Sequence, residues 1–483
     1  MTVRELKPRV EAVGKRLWHS PTFTTWASTG TRFLSFVLVL PLLLRRLTPA
    51  EISVWWLLST VISLQSLADL GFAPTFTRLI AYGMGGASDL RGAPAASAAS
   101  AGPNWELIER VWSTMRVVYG RMTLLAALPL AVFGTWALVR PMRALDDPVQ
   151  GWICWGVVFA ASATVFWANA YAAYLQGVNQ VALLRRWEAL TSIATTITLF
   201  VVLLMGGRLL GLVIASQVWA LMNVVRNWQL ARIVNDGRAI RFRRTGIDHD
   251  TFVVAWPAAW RSGLGISFSR GVLYASGLIY AQVADAPALA TYLLAFRWIQ
   301  LVSEFSQAPF YSKIPVLARL RSEGRIADQL AMAKRGMQAA YWTYVAGFVS
   351  IGVAGTGALA AIGSRVAFAD SSLWVLLGLG FFVERYGAMH IQLYSTTNHI
   401  IWHIATGVTG ALYLAVSLGL LSILGVYAFP VGMLVGYLGF FSWYCAGYDY
   451  RLFGIGFWQF ERTVVLPPTL IVAAYAAFTF LVD

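Results

Sequence analysis

Runs of about twenty apolar residues, the length of one bilayer crossing, recur from residue 22 almost to residue 482. The stretch 401–423 holds no Asp, Glu, Lys or Arg at all. In lipid every backbone donor and acceptor must be satisfied within the protein, which leaves helices or a closed barrel. Each run is near the roughly 20 residues that a helix needs to cross a bilayer. The chain is 58% hydrophobic and 12% charged, against about 25% charged in soluble domains. A soluble globule, a disordered chain and a disulfide scaffold are excluded. The sequence specifies an all-α polytopic membrane protein.

The expected spans are 22–43, 52–77, 117–139, 150–175, 187–205 and 210–231, then 252–280, 288–312, 336–361, 371–396, 401–423 and 426–447, with a further apolar stretch at 464–482. That makes about twelve transmembrane helices and one accessory helix. Residues 1–21 read as a cytoplasmic amphipathic N-terminus. The run after them is too long for a signal-peptide core.

The net charge is +15, from 37 Lys and Arg against 22 Asp and Glu. In a soluble protein that excess would suggest nucleic acid. Here it reads as the positive-inside bias. With the N-terminus inside, 25 of the 37 basic residues fall in cytoplasmic segments, including Arg185, Arg186 and the run 226–244. Only Arg45, Arg46, Arg140, Arg143, Arg208 and Arg365 fall in opposite-side loops. The expected location is the bacterial inner membrane. External loops are too short to hold a catalytic domain. The longest loop, 80–115, reads as a flexible cytoplasmic linker.

Shifting the sequence by 238 residues places Arg32 on Arg270, Ala50 on Ala288, Ser53 on Thr291 and Phe72 on Phe310. Six helices, a basic loop and six more helices start both halves on the same side. Such a parallel repeat is related by an axis along the membrane normal. The expected organisation is an N-lobe over 22–231, an inter-lobe loop over 232–251, a C-lobe over 252–447 and a C-terminal extension over 448–483.

Six basic residues remain inside the apolar runs: Arg32, Arg121, Arg261, Arg270, Arg297 and Arg385. An arginine at mid-span costs about 2.5–3.5 kcal/mol on insertion scales. Arg32 shares a helix face with Thr25, Ser28 and Thr29. Helix 7 repeats the pattern with Ser262, Ser267 and Arg270. Arg261 lies about half a turn away from Arg270. The intramembrane acids are Asp69, Glu188, Glu304 and Glu384, fewer than the arginines. This surplus suits an anionic substrate, and guanidinium suits phosphate.

Thr48-Pro49-Ala50-Glu51 has the form of a helix-opening capping box. Asp69 and Arg78 flank Gly71 and Pro74, either as a hinge or as an interfacial break. Arg297, Glu304 and Lys313 are candidate cavity residues of the C-lobe. Glu384 and Arg385 are adjacent and are expected to take separate partners. His399 and His403 have a metal-capable spacing without further ligands nearby, and no metal is expected. Trp55, Trp56 and Trp167 are candidates to stack on sugar rings. Cys154 and Cys445 read as buried apolar residues. A P-loop is absent from the sequence.

The segments Arg46-Leu47-Thr48-Pro49-Ala50-Glu51, Leu67-Ala68-Asp69-Leu70-Gly71-Phe72 and Arg78-Leu79-Ile80-Ala81 resemble the multidrug/oligosaccharidyl-lipid/polysaccharide exporter superfamily, in particular the Wzx-type polysaccharide flippases. The family's Gly in the Gly-Pro-Glu-like turn is Thr48 here. The stretch from Arg297 through Pro309 to Pro315 is also similar. The resemblance implies two six-helix lobes around a central cavity. It also implies transport of polyprenyl-diphosphate-linked oligosaccharide from the cytoplasmic to the outer leaflet by alternating access.

On that reading Arg32, Arg270, Arg297 and Arg261 hold substrate, with Thr25, Ser28 and Ser267 beside them. Asp69, Arg78, Glu304 and Glu384 serve coupling or hinge motion. No cofactor is expected beyond a coupling H+ or Na+. Partners are membrane lipids and a polysaccharide polymerase or other export proteins, with no nucleic acid. An ion-coupled small-molecule exporter would call for an acid in helix 1, and helix 1 has none. A polymerase or ligase acting on lipid-linked sugars would call for a sizeable external loop, which is also missing.

Overall fold

The computed structural model describes residues 37–65, 69–90, 102–397 and 401–482. All regular elements among them are helical. The chain divides into two compact units, Met1–Gly263 and Leu264–Asp483.

In the first unit, α1 (Pro49–Gln65) opens on the expected capping box. The Thr48 amide donates to the Glu51 carboxylate at 2.9 Å, and the Glu51 amide donates to the Thr48 hydroxyl at 3.3 Å. The single span expected over 52–77 is interrupted. Leu70 and Gly71 adopt left-handed φ values of 47° and 73° before α2 (Phe72–Met84) begins. Asp69 fixes this corner. Its carboxylate accepts from the Ala73 amide at 2.9 Å and from the Tyr119 hydroxyl. A Cβ at Gly263 would come within 2.5 Å of the Leu70 backbone, so the corner also needs glycine opposite it.

The next helix, α3 (Trp105–Pro129), begins well before the expected residue 117, because Asn104 caps it through the Leu107 amide. The linker expected over 80–115 is thereby shortened from both ends. Pro129 lacks an amide hydrogen, and a π turn, Leu130–Gly134, follows it before α4 (Thr135–Arg143). Then come α5 (Pro148–Gly177), α6 (Val181–Leu204) and α7 (Leu209–Ile233). Packing centres on Phe76, Trp112, Tyr119, Phe166 and Tyr174. At the start of α7, Arg208 holds the buried Glu51 through two bonds of 2.8 and 3.0 Å.

Helix α8 (His249–Ile266) runs into a π turn, Ser267–Gly271, and α9 (Val272–Tyr280). The second unit continues with α10 (Ala286–Tyr311), α11 (Ile314–Ser322), α12 (Ile326–Ala361) and α13 (Ser371–Tyr394). Asp285 and Asp370 cap α10 and α13. Next are α14 (Trp402–Leu424), α15 (Ala428–Gly436), a π turn, Tyr437–Phe441, and α16 (Ser442–Phe453). The chain ends in α17 (Phe457–Val464) and α18 (Leu466–Val482).

Among the described residues six helical stretches are long and apolar enough to cross a membrane, and the pair Phe457–Val464 and Leu466–Leu481, bent by 55°, makes a seventh if it is one span. One of the six, Trp402–Phe453, has 52 residues. Straight, it would measure about 78 Å, far beyond a hydrocarbon core of about 30 Å. It doubles back at Gly425, whose φ is 53°, and α14 packs along α15. The molecule is an all-helical polytopic membrane protein.

Candidate functional site

Thr25, Ser28 and Arg32 lie outside the described residues, as does His399. The backbone of Arg270 belongs to the π turn Ser267–Gly271, next to half-buried Ser267. Such turns are frequent where a helix carries function. Arg78, Arg121, Arg261 and Glu304 are exposed on their helices. Arg261 lies over the Trp260 ring at 5.9 Å. Arg297 is half-buried, with Tyr274 and Glu304 within electrostatic reach. Trp56 is buried and Trp167 is exposed, while Trp55 lines a mostly apolar cavity of about 230 Å³.

Arg385 on α13 is fully buried. Its Nη2 donates to the Ser303 carbonyl at 2.8 Å and to the Ser303 hydroxyl. Glu384 stands 3.7 Å away, so these neighbours share a contact where separate partners were expected. Arg385 Nε and Nη1 have no hydrogen-bond partner among the described residues. A buried guanidinium left partly unsatisfied is costly to keep.

A polar concavity lies within the first unit, among α5, α6 and α7. It measures about 580 Å³. Its wall carries Asn169 from α5, Arg185, Glu188, Thr191 and Thr195 from α6, and Asn223, Arg226 and Asn227 from α7. Arg185 pairs with Glu188 at 2.7 Å, one turn along the same helix. Arg226 is bound differently. Its Nη1 donates to Thr191 Oγ1 at 3.0 Å and to Asn223 Oδ1 at 2.7 Å. Its Nε and Nη2 donate to Asn227 Oδ1 at 3.1 and 2.8 Å. These acceptors are all neutral. Two guanidinium groups therefore face the cavity against one carboxylate, Glu188, which is bonded to Arg185 and lies within electrostatic reach of Arg226. The wall offers a positive charge, hydroxyls and amides in one place, which suits a hydroxylated anion.

Charge counting assigns Arg185 and Arg226 to cytoplasmic segments. The span expected over 187–205 stops short of Arg185 and that over 210–231 reaches Arg226, and in the structure both residues lie within helices. α6 begins at Val181 and α7 continues to Ile233. The signal was nevertheless present. Thr191 and Thr195, and Asn223, Arg226 and Asn227, follow three- and four-residue spacings that put each set on one helix face.

No family model matches the chain, and no curated protein sequence matches it. Solved structures do resemble it. An inward-facing multidrug resistance MATE family transporter of the MOP superfamily superposes with a TM-score of 0.59 at 11% identity, covering 91% of this chain and 94% of that one. The lipid II flippase MurJ, in an inward closed conformation, gives 0.61 at 11% identity, covering 94% and 98%. A MOP superfamily transporter from Pyrococcus furiosus, described as having a binding pocket of reversed polarity, gives 0.53 at 12% identity, covering 91% and 97%. The chain has the fold of MOP superfamily transporters.

Proposed function

We propose that the chain is a flippase that moves a polyprenyl-diphosphate-linked oligosaccharide from the cytoplasmic to the outer leaflet by alternating access. The observation that carries this reading is Arg226, a guanidinium hydrogen-bonded only to neutral oxygens in a 580 Å³ polar cavity whose one carboxylate, Glu188, is bonded to Arg185. Such a charge inside a span calls for an anion or water beside it. Arg226 lies seven residues from Ile233, about 10 Å from the helix end. With the N-terminus cytoplasmic, that end is the loading side for a substrate made in the cytoplasm.

The full arrangement proposed is twelve transmembrane helices in two six-helix lobes, plus an accessory helix, in the bacterial inner membrane. Arg32 and Arg270 would hold the diphosphate, and the cavity around Arg226 would receive sugar hydroxyls or a further acidic group. The likeness to a multidrug transporter and to a lipid II flippase supports transport, not a chemical conversion, as the activity.

The test is a deletion strain, which should accumulate lipid-linked oligosaccharide facing the cytoplasm. The wild-type gene should clear it. Arg32→Ala, Arg270→Ala and Arg226→Ala should fail to do so at equal membrane abundance. Normal clearance by all three variants would sink the proposal.

A further inference from the structure

His390 on α13 is buried, with 2% of its surface exposed, between two carboxylates that are 1% exposed. Its Nδ1 lies 2.9 Å from Asp449 Oδ2 on α16, and its Nε2 lies 3.1 Å from Glu461 Oε1 on α17. Glu461 Oε1 also accepts from the Tyr450 hydroxyl at 2.7 Å. Since that hydrogen is committed to Glu461, the 2.6 Å contact between Tyr386 and Tyr450 is donated by Tyr386. Asp449 Oδ1 and Glu461 Oε2 have no hydrogen-bond partner among the described residues.

This geometry fixes a proton count. Two ring nitrogens facing two carboxyl oxygens need two hydrogens between them. Either an imidazolium lies between two carboxylates, or a neutral imidazole lies between a carboxylate and a carboxylic acid. With one hydrogen fewer, a ring lone pair faces a carboxylate oxygen, and one contact must open. In a site shielded from water that repulsion is strong.

The surroundings do not supply a substitute charge on the ring. On α13 the neighbours are Glu384, Arg385 and Tyr386, and Arg385 is engaged with Ser303 of α10. Helix α12 contributes Tyr341, and Lys334 lies over the Phe460 ring at 5.9 Å. Helix α11 contributes Arg321, within electrostatic reach of Asp449. Helix α16 adds Cys445 and Tyr450, and the π turn adds Tyr437, none of them cationic.

The two contacts are unequal in what holds them. Asp449 lies on α16, which packs along the length of α13. Glu461 lies on α17, which has eight residues and leaves Trp458 70% exposed. Beyond Glu461, α17 is held by a hydrogen bond from Gln338 of α12 to the Thr463 carbonyl at 2.8 Å and by the buried side chains of Phe460 and Val464. We infer that His390, Asp449 and Glu461 form a proton-binding site, and that loss of its proton releases α17 from α13. The C-terminal unit thereby converts protonation into helix movement.

The test is amide hydrogen exchange of the peptide spanning 457–464 in the full-length protein, corrected for intrinsic rates. It runs from about pH 6 to about pH 10, which brackets the ordinary histidine value of about 6.5. Wild-type exchange in this segment should speed up by about tenfold or more at the alkaline end, while α16 stays protected. His390→Gln should lose that response. If His390→Gln does not fold, Glu461→Gln replaces it, since its amide can turn its oxygen to the imidazolium and its NH2 to the neutral ring, with Tyr450 free to accept from Tyr386 in either case. Glu461→Gln should keep α17 protected at both ends of the range. Constant protection in the wild type, or an unchanged pH response in Glu461→Gln, overturns the inference.

Discussion

The Thr191 hydroxyl accepts from Arg226 Nη1 at 3.0 Å and passes its own hydrogen to the Trp187 carbonyl at 2.9 Å. That relay joins α7 to α6 across the cavity. It orients the guanidinium plane without neutralising it, because a hydroxyl brings no counter-charge. A carboxylate in place of Thr191 would hold Arg226 more tightly and cancel the charge the cavity offers.

Arg226→Lys should therefore behave as a loss of function, not as a conservative change. A lysine ammonium is a point charge and cannot satisfy Asn223, Asn227 and Thr191 in one plane. Transport should fall by about tenfold or more, equivalent to about 1.4 kcal/mol. Thr191→Val should cost about 1 kcal/mol of stability through one hydrogen bond and leave most transport intact. Flipping assays in reconstituted vesicles, paired with thermal unfolding in detergent, separate the two. Equal transport by wild type and Arg226→Lys would remove Arg226 from the substrate path.

Glu51 joins two roles that a substitution can separate. It closes the capping box with Thr48 and receives the two-pronged grip of Arg208. The Glu51 side chain is 8% exposed, whereas Arg208 is 52% exposed. Arg208→Ala should cost little, about 1 kcal/mol, because its charge is largely solvated. Glu51→Ala should cost more, by about another 1 kcal/mol, through the lost cap. Thermal unfolding of the two single variants checks the order. The reverse order would mean that Arg208 carries packing not seen at this helix start.

The parts of the fold visible in the sequence are those set by local chemistry or by the bilayer. Thr48 and Glu51 are three residues apart, so their capping pattern needs no tertiary knowledge. The apolar runs are visible because lipid imposes a length. The break at Leu70 and Gly71 was half visible, through the glycine and Asp69, but its left-handed geometry is set by what packs on it. Arg185 and Arg226 count as topology charges in the sequence, because charge counting assigns basic residues at the end of an apolar run to the cytoplasmic side. His390 was not singled out at all. Its partners lie 59 and 71 residues away, on helices whose neighbours only the folded chain defines.

Arg385 offers a test of whether a buried charge is kept for stability. Among the described residues two of its three nitrogens have no hydrogen-bond partner, and its remaining bonds go to a single serine, Ser303. Replacing a poorly satisfied buried charge by an apolar side chain of similar length is often neutral or stabilising. Arg385→Met should therefore unfold within about 1 kcal/mol of the wild type, or later. If it does so while transport is lost, Arg385 is retained for function. A loss of about 3 kcal/mol or more would instead mark a satisfied structural charge.

The link leading into α8 should make the first unit sensitive to acid. Asp248 receives Arg110 through bonds of 3.0 and 2.9 Å, and its carboxylate also caps α8 through the Thr251 amide at 3.0 Å. The Arg110 guanidinium holds the Asp248 carboxyl at about 2, below its ordinary 3.8. A carboxyl whose value is depressed on folding stabilises the fold when ionised in both states, so the contribution is complete above about pH 4. It falls away as the pH drops through about 2, where the folded form also takes up a proton. Asp248→Asn keeps a capping oxygen and loses the charge. At neutral pH it should unfold about 2 kcal/mol more easily than the wild type. The gap should narrow steadily between about pH 4 and about pH 2 as the wild type loses the same charge. A gap that stays constant across that range would show that Asp248 acts through hydrogen bonding alone.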